Sequence, residues 1–174
     1  MSPGAWGQVS SPAYSVRRGH VPDARLLRAI RLESLRDTPE AFGATFEEAS
    51  TWSDDRWRTA AQQWTYYLGE GEGEGEVVGM VSGGFNDRSP GTLWMYGMYV
   101  SPTARGTGLA SELVEAVGQW ALGEGASELY LHVTETVTRA RAFYEKVGFR
   151  LTGDAITMSR DPSLRLVTMV KSLG

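Results

Sequence analysis

A chain of 174 residues, 41% of them hydrophobic and 22% charged, is long enough for one domain with a substantial core and too apolar for a disordered segment. Its net charge of -4 argues against a general nucleic-acid binder, and the absence of cysteine removes disulfides, thiolate metal sites and cysteine nucleophiles together; no metal site is expected. No apolar run reaches the roughly 18 residues of a membrane span. The Gly/Ser/Pro-rich residues 1–13 lack the basic-then-apolar pattern of a secretory signal, so the expectation is a flexible tail on a soluble, cytoplasmic protein with no membrane partner.

From Tyr14, YSVRRG alternates apolar and polar and predicts a first strand. Pro22 and Asp23 open a helix whose Leu26, Leu27, Ile30, Leu32 and Leu35 share an apolar face, with arginines and Glu33 opposite. Pro39 ends it, and a turn and a short helix follow over 39–50. Ser53 caps another helix, with Asp54 and Asp55 in its first turn. Two strands, 64–70 and 76–85, flank the acidic repeat Gly69–Glu76, which reads as a solvated hairpin tip. Residues 91–102 form a longer strand, in which Gly97 marks a bulge or a close backbone approach. Leu109–Leu122 is a helix with Leu113, Val114, Val117 and Trp120 or Ala121 inward. A buried strand at 128–133 and a helix at 138–147, closed by Gly148, precede two final strands at 149–158 and 164–173. With no internal repeat and no linker, residues 14–174 are expected to be a single α/β domain with mixed strand directions.

Between the strand ending at Val100 and the helix starting at Leu109 lies a turn of small residues, VSPTARGTGLAS. A strand, a glycine-bearing turn and a helix make an anion site, because the first N–H groups of a helix lack internal partners and carry the positive end of its dipole. Three phosphate-binding patterns compete for it. A Walker loop requires a Gly-Lys-Ser/Thr ending, and no lysine lies here. A dinucleotide fold wants G-x-G-x-x-G, whereas the chain has Gly106, Gly108 and Ser111 and no second βαβ half. The stretch RGTGLA, Arg105–Ala110, matches the [Q/R]-x-x-G-x-[G/A] pyrophosphate motif of the GNAT superfamily of acetyl-CoA-dependent N-acetyltransferases. The preceding MYVSP, the later LYLHV, ARAFYEKVGF (Ala140–Phe149) and the closing LVTMVKSL also resemble that family, in order and spacing, so the resemblance covers about Tyr14 to Leu173.

The resemblance implies a GNAT fold, an α/β (α+β) architecture with a mixed, mostly antiparallel sheet, parallel splayed strands 4 and 5, and helices on both faces. It implies that acetyl-CoA binds through the backbone of Arg105, Gly106, Thr107, Gly108, Leu109 and Ala110, with Met98, Tyr99 and Val100 pairing to the pantetheine arm. It implies that Tyr144 is the general acid on the coenzyme A thiolate, and that acetyl passes directly to a primary amine of a small molecule. A protein lysine or N-terminus as acceptor, or an inactive acyl-CoA-binding regulator, stays open, as does a homodimer.

Two departures from the family pattern matter. Val137 stands where many members place an asparagine, leaving Thr134, Thr136 or Thr138 as substitutes. Trp94 and Tyr96 stand where many carry a glutamate base, leaving a backbone carbonyl, His132 or Glu135, reached through water, or an amine that arrives with a lowered pKa. Trp52, Trp57 and Trp64 read as core or as the wall of an acceptor pocket. Glu47, Glu48, Asp54 and Asp55 read as a solvated face or as an attraction for a cationic acceptor.

Overall fold

The computed structural model describes residues 14–174; the expected tail, 1–13, lies outside the described residues. The strands are β1 (Ser15–Arg18), β2 (Thr65–Glu70), β3 (Val77–Asn86), β4 (Ser89–Val100), β5 (Glu128–Thr134), β6 (Arg150–Met158) and β7 (Asp161–Ser172), and the helices are α1 (Ala24–Asp37), α2 (Phe46–Ser50), α3 (Asp54–Gln63), α4 (Leu109–Gly123) and α5 (Thr138–Lys146). The strands form one sheet in the order β1-β2-β3-β4-β5-β7-β6. Among the described residues only β4 with β5 is a parallel pairing.

Each face of the sheet has its own core. On one, Leu109, Leu113 and Val117 of α4 and Tyr144 of α5 pack with Val81, Leu93, Leu129 and Leu131. On the other, Leu27 and Ile30 of α1 and Trp57 of α3 pack with Tyr66, Leu68 and Met80. Burying a side chain of this kind contributes about 1.5–3 kcal/mol. A Cβ at Gly83 would stand 2.4 Å from the Trp120 ring, and one at Gly79 3.0 Å from Leu113. Glycines on β3 thus let α4 lie directly on the sheet. Ala121 is buried and Trp120 covers Gly83, so both candidate inward residues face the sheet.

Two sequence expectations shift. Pro22 belongs to a 3-10 turn, Val21–Asp23, and α1 starts only at Ala24; the Asp23 carboxylate accepts from Arg17 and from the His20 N–H, at 2.8 and 2.9 Å, which closes the turn. Gly69 and Glu70 are part of β2 and not of the hairpin tip, which closes where the Gly71 N–H donates to the Glu76 carbonyl at 2.9 Å. Gly69 packs under α4, since a Cβ there would come within 2.9 Å of Leu109. Glu33 is exposed, as its place opposite the apolar face implies, and it also accepts hydrogen bonds from Tyr99 and Ser101 at the end of β4.

What positions the site is the parting of β4 and β5. They pair at Leu93–Leu129 and Trp94–Tyr130 and then separate. Beyond that point the β4 edge facing β5 has no strand partner. A bulge adds to the divergence: Tyr96 opposes Ser82 and Tyr99 opposes Met80, so Gly97 and Met98 together face Val81. Gly97 has φ +59°, a conformation that glycine adopts without steric cost. No helix among the described residues is long and apolar enough to cross a membrane.

Candidate active site

The turn from β4 to α4 leaves its backbone bare. Gly106 and Gly108 have φ +76° and +90°, and a Cβ at either would meet nothing within 4 Å. Gly108 is the α4 N-cap and brings no side chain to bond the helix start. The N–H groups of Gly106, Thr107, Gly108 and Ala110 have no acceptor among the described residues, and they gather at the positive end of a fifteen-residue helix. An anion fits such a surface.

Arg105 holds this turn in place. Its Nε donates to the Val100 carbonyl at 3.0 Å and its Nη2 meets Asp37 at 2.6 Å. One turn earlier on α1, Glu33 accepts from the Tyr99 and Ser101 hydroxyls at 3.1 and 2.6 Å. The Tyr99 phenol is pushed well above its usual value, by burial first and then by Glu33, so it stays a donor. Two carboxylates four residues apart therefore share one helix face and fix both the strand end and the turn. The Arg105 charge is met by Asp37, which leaves it a positioning residue for the backbone around it.

In front of the turn lies a cavity of about 340 Å³. Met98, Tyr99, Val100, Arg105, Gly106, Gly108, Ala110 and Tyr144 all line it. Two of the sequence-predicted binding residues do not. The Thr107 hydroxyl donates back to the Ala104 carbonyl, and the Leu109 side chain is buried in the core; only their backbone faces the turn. A second cavity, about 320 Å³, sits in the parting of the strands and takes in Tyr96, Gly97, Leu131 and His132. The two meet at Ala41, Phe42, Met98, Val137, Ala140 and Tyr144, which line both.

Tyr144 stands at that junction. Its ring packs edge-on to Phe149 at 5.7 Å and tilted to Phe143 at 5.4 Å. Burial pushes its phenol well above the usual value, and no partner for the hydroxyl stands among the described residues. Its helix ends with the Phe149 N–H on the Tyr144 carbonyl and the Gly148 N–H on Glu145, at 2.9 and 3.1 Å, which sets the register of Tyr144 against the sheet. Val137, at the start of the same helix, gives an apolar wall to both cavities.

His132 stacks on Trp94 at 4.6 Å, and Tyr130 stacks on Trp94 at 5.3 Å. Burial lowers the imidazole below its usual value, so at neutral pH it is uncharged and can accept a proton. Glu135, the other side chain considered for that step, and the threonines considered in place of the asparagine are committed elsewhere or stand apart. Glu135 pairs with Arg165 at 3.0 Å, and the Thr134 hydroxyl donates to the Glu40 carbonyl at 2.9 Å. Thr136 and Thr138 line neither cavity.

The roof over both cavities is the segment between α1 and α2, with Ala41 and Phe42 at its centre. Arg160, in the turn between β6 and β7, holds it by donating to the Phe42 and Pro39 carbonyls. Beneath Phe42, at 4.8 Å from its ring, lies the Arg31 guanidinium. Sequence reasoning missed Arg31, Asp37 and Phe42. A signal for Arg31 existed: it follows Leu27 by four residues and precedes buried Ser34 by three, in line with the inward stripe of α1. Of the tryptophans, Trp57 is core at 1% exposure, Trp52 leans on it at 4.8 Å, and Trp64 lines a third cavity beside Tyr96. No group of three or more His, Asp or Glu that could hold a metal occurs among the described residues.

A model of the acetyltransferase (GNAT) family matches residues 28–149. The chain is similar to L-2,4-diaminobutyric acid acetyltransferase of Halomonas elongata, 52% identical over 44 residues, or 25% of this chain and 23% of that protein. It is also similar to acetyltransferase ECA0875 of Pectobacterium atrosepticum, 32% identical over 51% of this chain and 60% of that protein. The chain thus spans less than two thirds of the length of these curated relatives. Among solved structures, the yncA protein of Salmonella typhimurium, determined with its cofactor acetyl-CoA, superposes with TM-score 0.71 at 20% identity, covering 93% of this chain and 95% of that one. A GNAT-family acetyltransferase of Streptococcus pneumoniae superposes with TM-score 0.73 at 18% identity, over 93% of this chain and all of that one (100%).

Proposed function

The chain belongs to the acetyltransferase (GNAT) family, whose members use acetyl-CoA, and on that premise we propose that it transfers the acetyl group directly to a primary amine of a small molecule, with residues 14–174 acting as one domain. One observation carries this reading: two cavities, one ending on a bare glycine turn and one on the polar side chains beside the parted strands, meet at Tyr144. Together they offer room for a pyrophosphate and its arm on one side and an amine on the other.

Acetyl-CoA supplies an activated acetyl group and a thiolate leaving group. The turn from Arg105 to Ala110 binds the pyrophosphate through backbone N–H groups; its open glycine positions and unpaired donors suit that anion. Asp37 and Arg105 hold the turn so that these donors converge. The β4 edge from Met98 to Val100 pairs with an extended amide-bearing arm as a strand would. Tyr144 keeps its proton and presents it to the departing sulfur. His132, neutral in its site, takes the proton of the amine directly or through a water. The apolar walls, among them Phe42, Met98 and Val137, exclude bulk water and strengthen these hydrogen bonds. Much of the rate comes from holding amine and thioester together.

The test is thiol release from acetyl-CoA against a panel of small amines and lysine-bearing peptides, with acetyl-CoA binding followed by calorimetry. Turnover on free amines supports the reading. Turnover on peptides alone identifies a protein acceptor, and binding without any turnover identifies a regulator.

A further inference from the structure

Arg31 is a half-buried cation with no carboxylate paired to it among the described residues. Its Nη1 is shut off from solvent and has no hydrogen-bond partner. No salt bridge reaches it among the described residues, and the cause that pushes its pKa down, to about 10, is burial. It remains charged at neutral pH. A guanidinium N–H shut off from water without an acceptor forfeits a hydrogen bond it would make in solvent, so this end of Arg31 has a place for an anion from outside the chain.

The place where it is kept says which anion. The guanidinium carbon lies over the Phe42 ring, 4.8 Å from its centroid, and beside the bulge, where a Cβ on Gly97 would be 3.5 Å from Nη1. It lines both the cavity at Tyr144 and the adjoining cavity of about 430 Å³ next to Trp64 and Tyr96. Among the described residues, the only other titratable cation lining the first cavity is neutral His132, and Arg31 is the only charged side chain lining the second. No carboxylate lines either. One fixed positive charge matches one negative charge, and a guanidinium with a ring against its face offers its edge donors to a planar bidentate acceptor.

We infer that the acceptor is a small amino carboxylate, whose carboxylate seats on Arg31 at the bulge of β4 while its amine faces the Tyr144 junction. This deepens the proposed function and rests on the acceptor binding between β4 and β5. A carboxylate supplies what Arg31 lacks, and a phosphate would leave a second negative charge uncompensated. The absence of acidic residues in the lining fits an amine that must lose its proton before it attacks.

The experiment pairs α-amino and ω-amino acids with their carboxamides, in the wild type and in Arg31→Met, at saturating acetyl-CoA. The wild type should use at least one acid with kcat/KM about thirtyfold above its amide, the scale of a hydrogen-bonded charge pair. In Arg31→Met that ratio should fall to within about threefold, mainly through KM, as loss of a binding contact predicts. The unliganded variant should melt at or above the wild-type temperature, because a flexible apolar side chain replaces a half-buried guanidinium whose Nη1 has no partner; a purely structural arginine would instead lower it. Equal use of acid and amide by the wild type, exclusive use of non-acid amines, or a ratio retained in the variant overturns the inference. If no member turns over, an acid-dependent rise in the wild-type melting temperature with CoA present, absent in Arg31→Met, upholds the inference, and no such rise overturns it. Failure of acetyl-CoA itself to bind refutes the transferase reading beneath it.

Discussion

Tyr144→Phe separates chemistry from packing at the junction of the two cavities. The substitution removes one oxygen and keeps the ring, whose contacts with Phe143 and Phe149 at 5.4 and 5.7 Å do not involve it. Because the hydroxyl has no partner among the described residues, stability should change by less than about 1 kcal/mol, a shift of no more than about 4 °C for a chain of this size. Turnover should fall about 10²-fold, the lower end of a general acid's contribution and equal to about 2.7 kcal/mol of barrier. Burial bears on how the proton moves. It raises the phenol above its ordinary value of about 10, whereas a free thiol sits near 8.5, so full transfer to sulfur is uphill by at least about 2 kcal/mol. The hydroxyl therefore acts as a hydrogen-bond donor that strengthens as charge gathers on the sulfur. It also stays protonated throughout the working range, so no alkaline limb of the rate profile belongs to it. The assay is thiol release at saturating amine, with acetyl-CoA affinity from calorimetry and melting temperature alongside. Turnover within about threefold of wild type, at unchanged affinity and stability, would refute the assignment and leave positioning alone as the source of rate.

Gly108→Asp should weaken acetyl-CoA binding about 10²- to 10³-fold through charge repulsion at the turn, whereas Gly108→Asn, which carries the same strain at φ +90° without the charge, should lose far less; equal losses in calorimetry would place the pyrophosphate elsewhere. Replacing Glu72–Gly75 with an Asn-Gly turn should leave acetyl-CoA affinity unchanged, while a replacement that also removes Gly69 should disturb it through Leu109; a tenfold loss from the shorter replacement would contradict this. His132 is held below its usual value, so the acid limb of kcat/KM should fall below about pH 6.5 and disappear in His132→Gln; a limb at or above that value would exclude the imidazole as base. The same shift makes the unfolded chain bind the proton first as pH falls through about 6.5, so wild-type stability should drop more steeply between pH 7 and 5 than that of His132→Gln, as paired thermal melts would reveal.

The glycine turn proposed to hold the cofactor was legible in the sequence because its conformation and its donors belong to the backbone. Small residues at Gly106 and Gly108, between a strand and a helix, state both the conformation and the open approach, and neither depends on distant contacts. The same holds for the cap at Ser53, whose hydroxyl accepts from the Arg56 N–H at 3.2 Å, and for the bulge at Gly97. Periodicity likewise placed the strands and helices, since burial on one face is a local pattern. Only the tertiary structure decided what the polar side chains of α1 meet. Glu33 reads only as a solvated charge until the end of β4 brings Tyr99 and Ser101 to it, and Arg31 reads as one more surface arginine until Phe42 lies over it. Spacing along a helix reports which residues share a face, but the partners of that face come from the end of β4 and the turn after it, 66 and 68 residues away. The cavity at the parted strands is built from such long-range meetings of α1, the roof segment, β4 and β5. The glycine turn is written in consecutive residues and that cavity is not.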